Sequence, residues 1–186
     1  IDREYETDDI RINSQSGKGG IAYLLEHDYQ VSLRKTMQAA VGIAVKAASD
    51  QKHAELSSKE VYQAFVRQFV NISAPIELID FDFTLEKTIT VTIYLKYQGV
   101  IKRFNASANG HLDAVSNALH GGLNIPFGNL TYHEHAMGSG TDTLAISYVS
   151  ITAPDGSVNW GAGIKEDIIT SSVYALISAV NRQLAK

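Results

Sequence analysis

The chain of 186 residues contains no cysteine, so disulfides, thiolate nucleophiles and thiolate metal ligands are excluded. It has three prolines and one tryptophan. No apolar run approaches the roughly 18 residues that suggest a membrane-spanning helix. Nor is there a basic block: 16 Lys and Arg stand against 20 Asp and Glu, a net charge of −4. Nothing therefore favours nucleic acid, which binds largely through counterion release on clustered cations. The start, Ile1-Asp2-Arg3-Glu4, has no initiator Met and none of the features of a signal peptide. The expectation is a fragment of a longer cytoplasmic protein, with neither a membrane nor a nucleic acid as partner.

What the sequence does contain is a doubled pattern. Ser107-Ala108-Asn109-Gly110-His111-Leu112-Asp113-Ala114 reads as a strand that ends in small residues and turns into a helix. Trp160-Gly161-Ala162-Gly163-Ile164 reads as its echo. Before Gly110 lie strand-like runs at 78–85, 89–97 and 100–106, with Gln98-Gly99 as a hairpin turn. Ile79, Phe81, Phe83 and Leu85 alternate with Leu78, Asp80, Asp82 and Thr84, and Ile89 to Tyr97 alternates in the same way. The helix that follows presents Leu112, Val115, Ala118 and Leu119. In the second copy the strands are 130–137, 143–152 and 157–162, and the helix presents Ile169, Val173, Leu176, Ile177 and Val180. A turn that feeds a helix leaves several N–H groups converging on one spot, which suits a carboxylate or phosphate. Two such copies suggest a ligand-responsive assembly more than a single catalytic cleft.

The N-terminal part has the helical period instead. Met37, Ala40, Val41, Ala44, Val45 and Ala48 recur at three and four. Residues 50–55 read as a polar loop, and Ser57 with Glu60 has capping-box spacing ahead of Val61, Ala64, Phe65 and Phe69. Asn71 to Pro75 reads as a boundary, giving a helical linker subdomain over 1–74 and a second domain over 75–186, with repeat units 76–122 and 129–186. The fold class is α+β, a small helical subdomain followed by two βββα repeats. Asn13 to Gly20 invites a phosphate-loop reading, but Gly19 stands after Lys18 where that loop needs Ser or Thr.

Arg11 to Leu25, with its Asn-Ser-Gln-Ser-Gly-Lys-Gly-Gly core, resembles the segment beyond the catalytic barrel of 2-isopropylmalate synthases. Tyr132-His133-Glu134-His135-Ala136-Met137, Trp160 to Ile164 and Ile177 to Arg182 resemble their leucine-sensing regulatory domain. The likeness spans essentially the whole chain and lacks the catalytic barrel. It implies a homodimer and a feedback site for leucine or another branched-chain amino acid. The absent barrel, with its divalent metal and acetyl-CoA, implies an acyltransferase that joins acetyl-CoA to 2-oxoisovalerate on the way to leucine; this piece alone would carry no catalytic residue and no cofactor. By position, the resemblance places the effector site at Asn109, Gly110, Leu112 and Asp113 in the first unit. In the second it places Asn129, Tyr132, Ala136, Thr143, Ala145 and Ile168. Tyr23 matches a residue implicated in relaying inhibition. Ala108 stands where the family usually has glycine, and Asp113, Asn129 and Thr143 are more polar than its pattern. Citramalate synthases, which answer to isoleucine, are the near alternative.

A rival chemistry sits at His133 and His135. Positions two apart on a strand face the same way, so the two imidazoles could share a metal if Asp80, Asp82 or His111 converged on them. That reading predicts a self-contained metalloenzyme. A third is a free-standing amino-acid sensor.

Overall fold

A computed structural model describes residues 17–186, so Arg11 to Ser16 of the N-terminal motif lie outside the described residues. The described residues divide into two compact units, 17–68 and 69–186.

In the first unit, α1 (Lys18–Tyr29) begins just after Gly17, α2 spans Lys35–Lys52, and α3 spans Ser58–Phe69. One face of α2 buries Met37, Val41, Val45 and Ser49, as the helical period requires. It runs into the stretch read as a polar loop and stops only where His53 turns left-handed, at φ 56°. Tyr29 stacks on Tyr62, with ring centroids 4.2 Å apart, which ties α1 to α3.

The capping box forms as its spacing predicts. The Glu60 amide donates to Ser57 Oγ at 3.2 Å, and the Ser57 amide donates to Glu60 Oε1 at 3.2 Å. Lys52 Nζ also donates to Glu60 Oε1, at 2.8 Å. These partners, Lys52 first and the Ser57 amide second, draw the Glu60 carboxyl down to about 2 from an ordinary 4.5. A folded-state pKa below the unfolded one gives stability that is complete above pH 4.5 and lost as pH falls through about 2. An acid titration of the helical circular dichroism should therefore contain a component in that window that Glu60→Gln removes. An identical titration in the variant contradicts this.

The second unit holds two three-stranded antiparallel sheets. One is ordered β1 (Glu77–Leu85), β2 (Ile89–Tyr97), β3 (Val100–Ala108), and is followed by α4 (His111–Leu123). The other is ordered β4 (Gly128–Met137), β5 (Leu144–Thr152), β6 (Val158–Lys165), and is followed by α5 (Ile168–Leu184). The α+β class and the two βββα repeats are thus present. The repeats share one core: Val91, Ile93 and Leu95 of β2, Val115 and Leu119 of α4, Val149 and Ile151 of β5, and Val173, Leu176 and Val180 of α5. Each such side chain, fully withdrawn from water, contributes about 1.5–3 kcal/mol before entropy is counted.

Two further sequence readings change. The β1 register skips between Leu78, opposite Leu95, and Asp80, opposite Tyr94, so Ile79 is the extra residue of a bulge. Leu78 faces the core in place of Ile79, which is 43% exposed, while Phe81 and Phe83 keep their places against it. Leu85, at the hairpin end, is 78% exposed.

The second glycine turn is the larger correction. Gly161 and Gly163 lie inside β6, not at a turn, and α5 begins after Asp167. A Cβ on Gly161 would come within 2.2 Å of the Ala179 nitrogen, and one on Gly163 within 2.0 Å of the Ser171 carbonyl oxygen. These glycines let the α5 backbone lie directly on the strand.

The connector 69–76 is fastened to the second unit. The Asn71 amide donates to the Ala162 carbonyl, and the Ile76 amide to Asn181 Oδ1.

Candidate functional site

Gly110, at the N-cap of α4, has an extended backbone (φ −126°, ψ 157°) and no side-chain capping bond. The first-turn amides of α4 have no helical acceptor, so they face the space in front of Gly110. Asp113 folds back towards this end, with its Oδ2 3.4 Å from where a Gly110 Cβ would stand. At α5 the corresponding donors are already taken. Asp167 Oδ1 accepts from the Thr170 amide at 2.7 Å, and Asp167 Oδ2 accepts from the Thr170 hydroxyl at 2.8 Å. Of the two repeats, only the first presents an uncapped helix start.

In front of that start opens a cleft of about 270 Å³, walled by Gly110 to Asp113 of α4, Leu130 and Tyr132 of β4, and Ile168, Ile169 and Ser172 of α5. Its volume lies just below the roughly 300–1,000 Å³ of drug-sized pockets, which suits a ligand of amino-acid size. The apolar wall is Leu112, Leu130, Ile168 and Ile169. The polar groups are the α4 amides, Asp113, His111, Ser172 and Tyr132. His111 packs edge-on against Phe83, with centroids 4.7 Å apart, so sheet β1-β2-β3 supports this rim. Partial burial first, and a hydrogen bond to Glu134 second, raise the Tyr132 hydroxyl to about 12. Tyr132 therefore stays a neutral donor. An alkaline titration of tyrosinate absorbance should contain a step near 12 that Tyr132→Phe removes; a variant that leaves the high-pH end of that curve unchanged contradicts this.

Five of the ten residues assigned from sequence line this cleft: Gly110, Leu112, Asp113, Tyr132 and Ile168. The other five do not. Asn109 is exposed beside the cap. Asn129 sits in a β4 irregularity at φ 47°, a conformation asparagine tolerates, and its side chain is exposed. Ala136 pairs with Ala145, whereas Tyr132 pairs with Val149. Ala136 and Tyr132 thus share a face of β4, about 13 Å apart at the rise of a strand. Thr143 Oγ1 donates to the Gly140 carbonyl at 2.8 Å and closes the 3-10 turn before β5. Sequence reasoning missed His111, Leu130, Ile169 and Ser172. The Leu130 to Tyr132 spacing on a strand pointed to the first two-residue wall; the α5 residues became legible only once the helix start had moved to Asp167.

Tyr23 is 59% exposed on α1, its ring stacked on His27 at 5.6 Å. The two histidines of β4 are engaged elsewhere. His135 Nδ1 donates to the Ala136 carbonyl at 2.9 Å, and its Nε2 lies 2.8 Å from the Tyr148 hydroxyl, accepting from it in the neutral ring. His133 stacks on Tyr148 at 4.4 Å. Asp80 and Asp82 accept from the amides of Phe81 and Phe83. Among the described residues no group of three or more His, Cys, Asp or Glu side chains comes together to hold a metal ion. No helix among them is long and apolar enough to cross a membrane.

Residues 55–184 match the LeuA allosteric (dimerisation) domain. The 2-isopropylmalate synthase of Desulfitobacterium hafniense is 47% identical over 184 residues, 99% of this chain and 33% of that protein. That of Helicobacter hepaticus is 40% identical over 98% of this chain and 34% of its own length. That of Brucella suis is 35% identical over 100% of this chain and 34% of its own length. The chain spans about a third of the length of the curated relatives it matches.

Proposed function

The chain belongs to the LeuA allosteric (dimerisation) domain family, and from that premise we propose that it is the regulatory and dimerisation part of a 2-isopropylmalate synthase, binding leucine as feedback inhibitor. The observation that carries the reading is the convergence of Gly110, Leu112, Asp113, Tyr132 and Ile168, from both repeats, on one cleft. An amino acid needs donors for its carboxylate, an acid for its ammonium and an apolar wall for its side chain. The α4 amides, Asp113, and Leu112 with Leu130, Ile168 and Ile169 supply these in turn. Ala136, Thr143 and Ala145 then serve the surface around the site and not the ligand itself.

In this reading the condensation of acetyl-CoA with 2-oxoisovalerate, with its divalent metal, belongs to a catalytic barrel that partners this chain in the cytoplasm. The homodimer is supported by the dimerisation domain that the family description names. Tyr23 remains the candidate relay towards the barrel; Tyr23→Phe in a full-length enzyme tests it, and unchanged inhibition would remove that role.

A ligand that binds only the folded chain at 100 times its Kd adds about 2.7 kcal/mol of stability. Leucine at that excess should raise the melting temperature of the wild-type chain. Ile169→Glu should abolish the rise, because it sets a carboxylate in the apolar wall that receives the ligand's side chain. The variant folds, since Ile169 is 42% exposed and an acid suits the first turn of a helix. A leucine-induced rise of undiminished size in Ile169→Glu overturns the placement. A larger rise with isoleucine than with leucine assigns the chain to citramalate synthase.

A further inference from the structure

The helix that walls the cleft also holds the chain arriving from α3. At its first turns, α5 offers Ile168, Ile169 and Ser172 to the cleft. Six residues beyond Ser172, about 9 Å along the axis, Ser178 Oγ accepts from the Ile72 amide at 2.8 Å. One turn further, the fully buried Asn181 accepts from the Ile76 amide at 2.8 Å. Its Nδ2 donates to the carbonyls of Ile72 at 2.8 Å and Ile76 at 2.9 Å. Arg182 lies 3.8 Å over the ring of Phe69, the last residue of α3.

The strand under α5 holds the same connector. Asn71 Nδ2 donates to the Ile164 carbonyl and Asn71 Oδ1 accepts from the Ile164 amide, both at 3.1 Å. The side-chain amide thereby imitates a strand partner at the edge of β6. The helix and sheet cannot slide apart easily, because Gly161 and Gly163 put the α5 backbone flush on β6, and Ser147 Oγ of the neighbouring β5 meets Ser171 Oγ of α5 at 2.6 Å. The connector is fastened to this one block at both ends, through Asn71 and Ile72 on one side and Ile76 on the other.

We propose that α5 and β6 act as a single lever that reports occupancy of the cleft to the C-terminal end of α3, through the grips of Asn71, Ser178 and Asn181 on residues 71–76. The proposal rests on the cleft being the effector site. A ligand shifts an arrangement only by binding one better than another. Contact with Ile168, Ile169 and Ser172 gives the ligand that purchase on α5, and the rigid block carries the displacement to the connector. Asn71, Ser178 and Asn181 are positioning residues in this scheme and touch no ligand.

Hydrogen exchange on the whole chain, with and without leucine, tests the lever. In the wild type, leucine should slow exchange in α5 and in the last turn of α3 by about tenfold, inside the roughly 5–150-fold range of coupling between sites. Asn71→Gly removes one grip without strain, since Asn71 has φ 51° and glycine accepts that conformation. Ser178→Ala removes another. In both variants calorimetry should give an unchanged leucine affinity and exchange in α5 should still slow, while the effect on α3 falls below about twofold, under that same coupling range. Wild-type binding without any slowing in α3, or full slowing of α3 in both variants, overturns the lever and leaves the effector site standing. Absence of leucine heat from the wild type removes the site and the lever together.

Discussion

Gly163→Ala is expected to destabilise the chain by about 3 kcal/mol, the upper end for an inserted methyl group. The new Cβ meets the Ser171 carbonyl oxygen at 2.0 Å and the Ala175 nitrogen at 2.8 Å, and both are helix backbone that cannot rotate away. To relieve the contact α5 must lift off β6, which opens Val173, Leu176 and Val180 to water. The melting temperature should fall by roughly 10 °C, since about 3–5 °C corresponds to each kcal/mol for a unit of this size. Gly121→Ala is the control. A Cβ there meets nothing within 4 Å inside α4, so the substitution should stabilise by about 0.5–1 kcal/mol through helix propensity. Equal melting temperatures for the two variants would contradict the close contact of α5 with β6.

Asn181→Ala is expected to cost about 3–5 kcal/mol. It leaves the Ile76 amide and the carbonyls of Ile72 and Ile76 without partners in a buried place, at about 1–3 kcal/mol for each group left unsatisfied. Urea unfolding should show the midpoint shifted with its slope unchanged. Asn181→Asp should fare no better, because it loses both donations and buries a charge. A cost below about 1 kcal/mol, a single exposed hydrogen bond's worth, would mean that water replaces the side chain and that the connector is not held by α5.

Much of this architecture is written in local pattern. The period-two run Ile89 to Tyr97 became β2 without change, and Ser57 with Glu60 became the capping box, because both depend only on neighbours in sequence. Where a distant partner decides, the sequence misleads. Gly163 looks like a turn residue until α5 is laid on β6, and nothing near it in sequence announces the helix backbone that excludes its side chain. Ile79 loses its inward place to Leu78 because the β2 register, not the alternation of β1, sets the bulge. At the cleft, Gly110 to Asp113 were legible as a helix start, whereas Ile169 and Ser172 depended on where α5 begins. Asn71 and Asn181 are ordinary asparagines in sequence. Only the return of α5 over the connector makes them clamps.

The measurement that bears most directly on the central claim is a calorimetric titration of this chain with leucine, with isoleucine and valine as controls. The cleft between α4, β4 and α5, with the uncapped start of α4 at its floor, predicts saturable, leucine-selective heat at about one site per chain, in the manner of a small-molecule pocket. Silence from all three amino acids, under conditions where the chain is folded, would contradict the assignment of the cleft as an effector site.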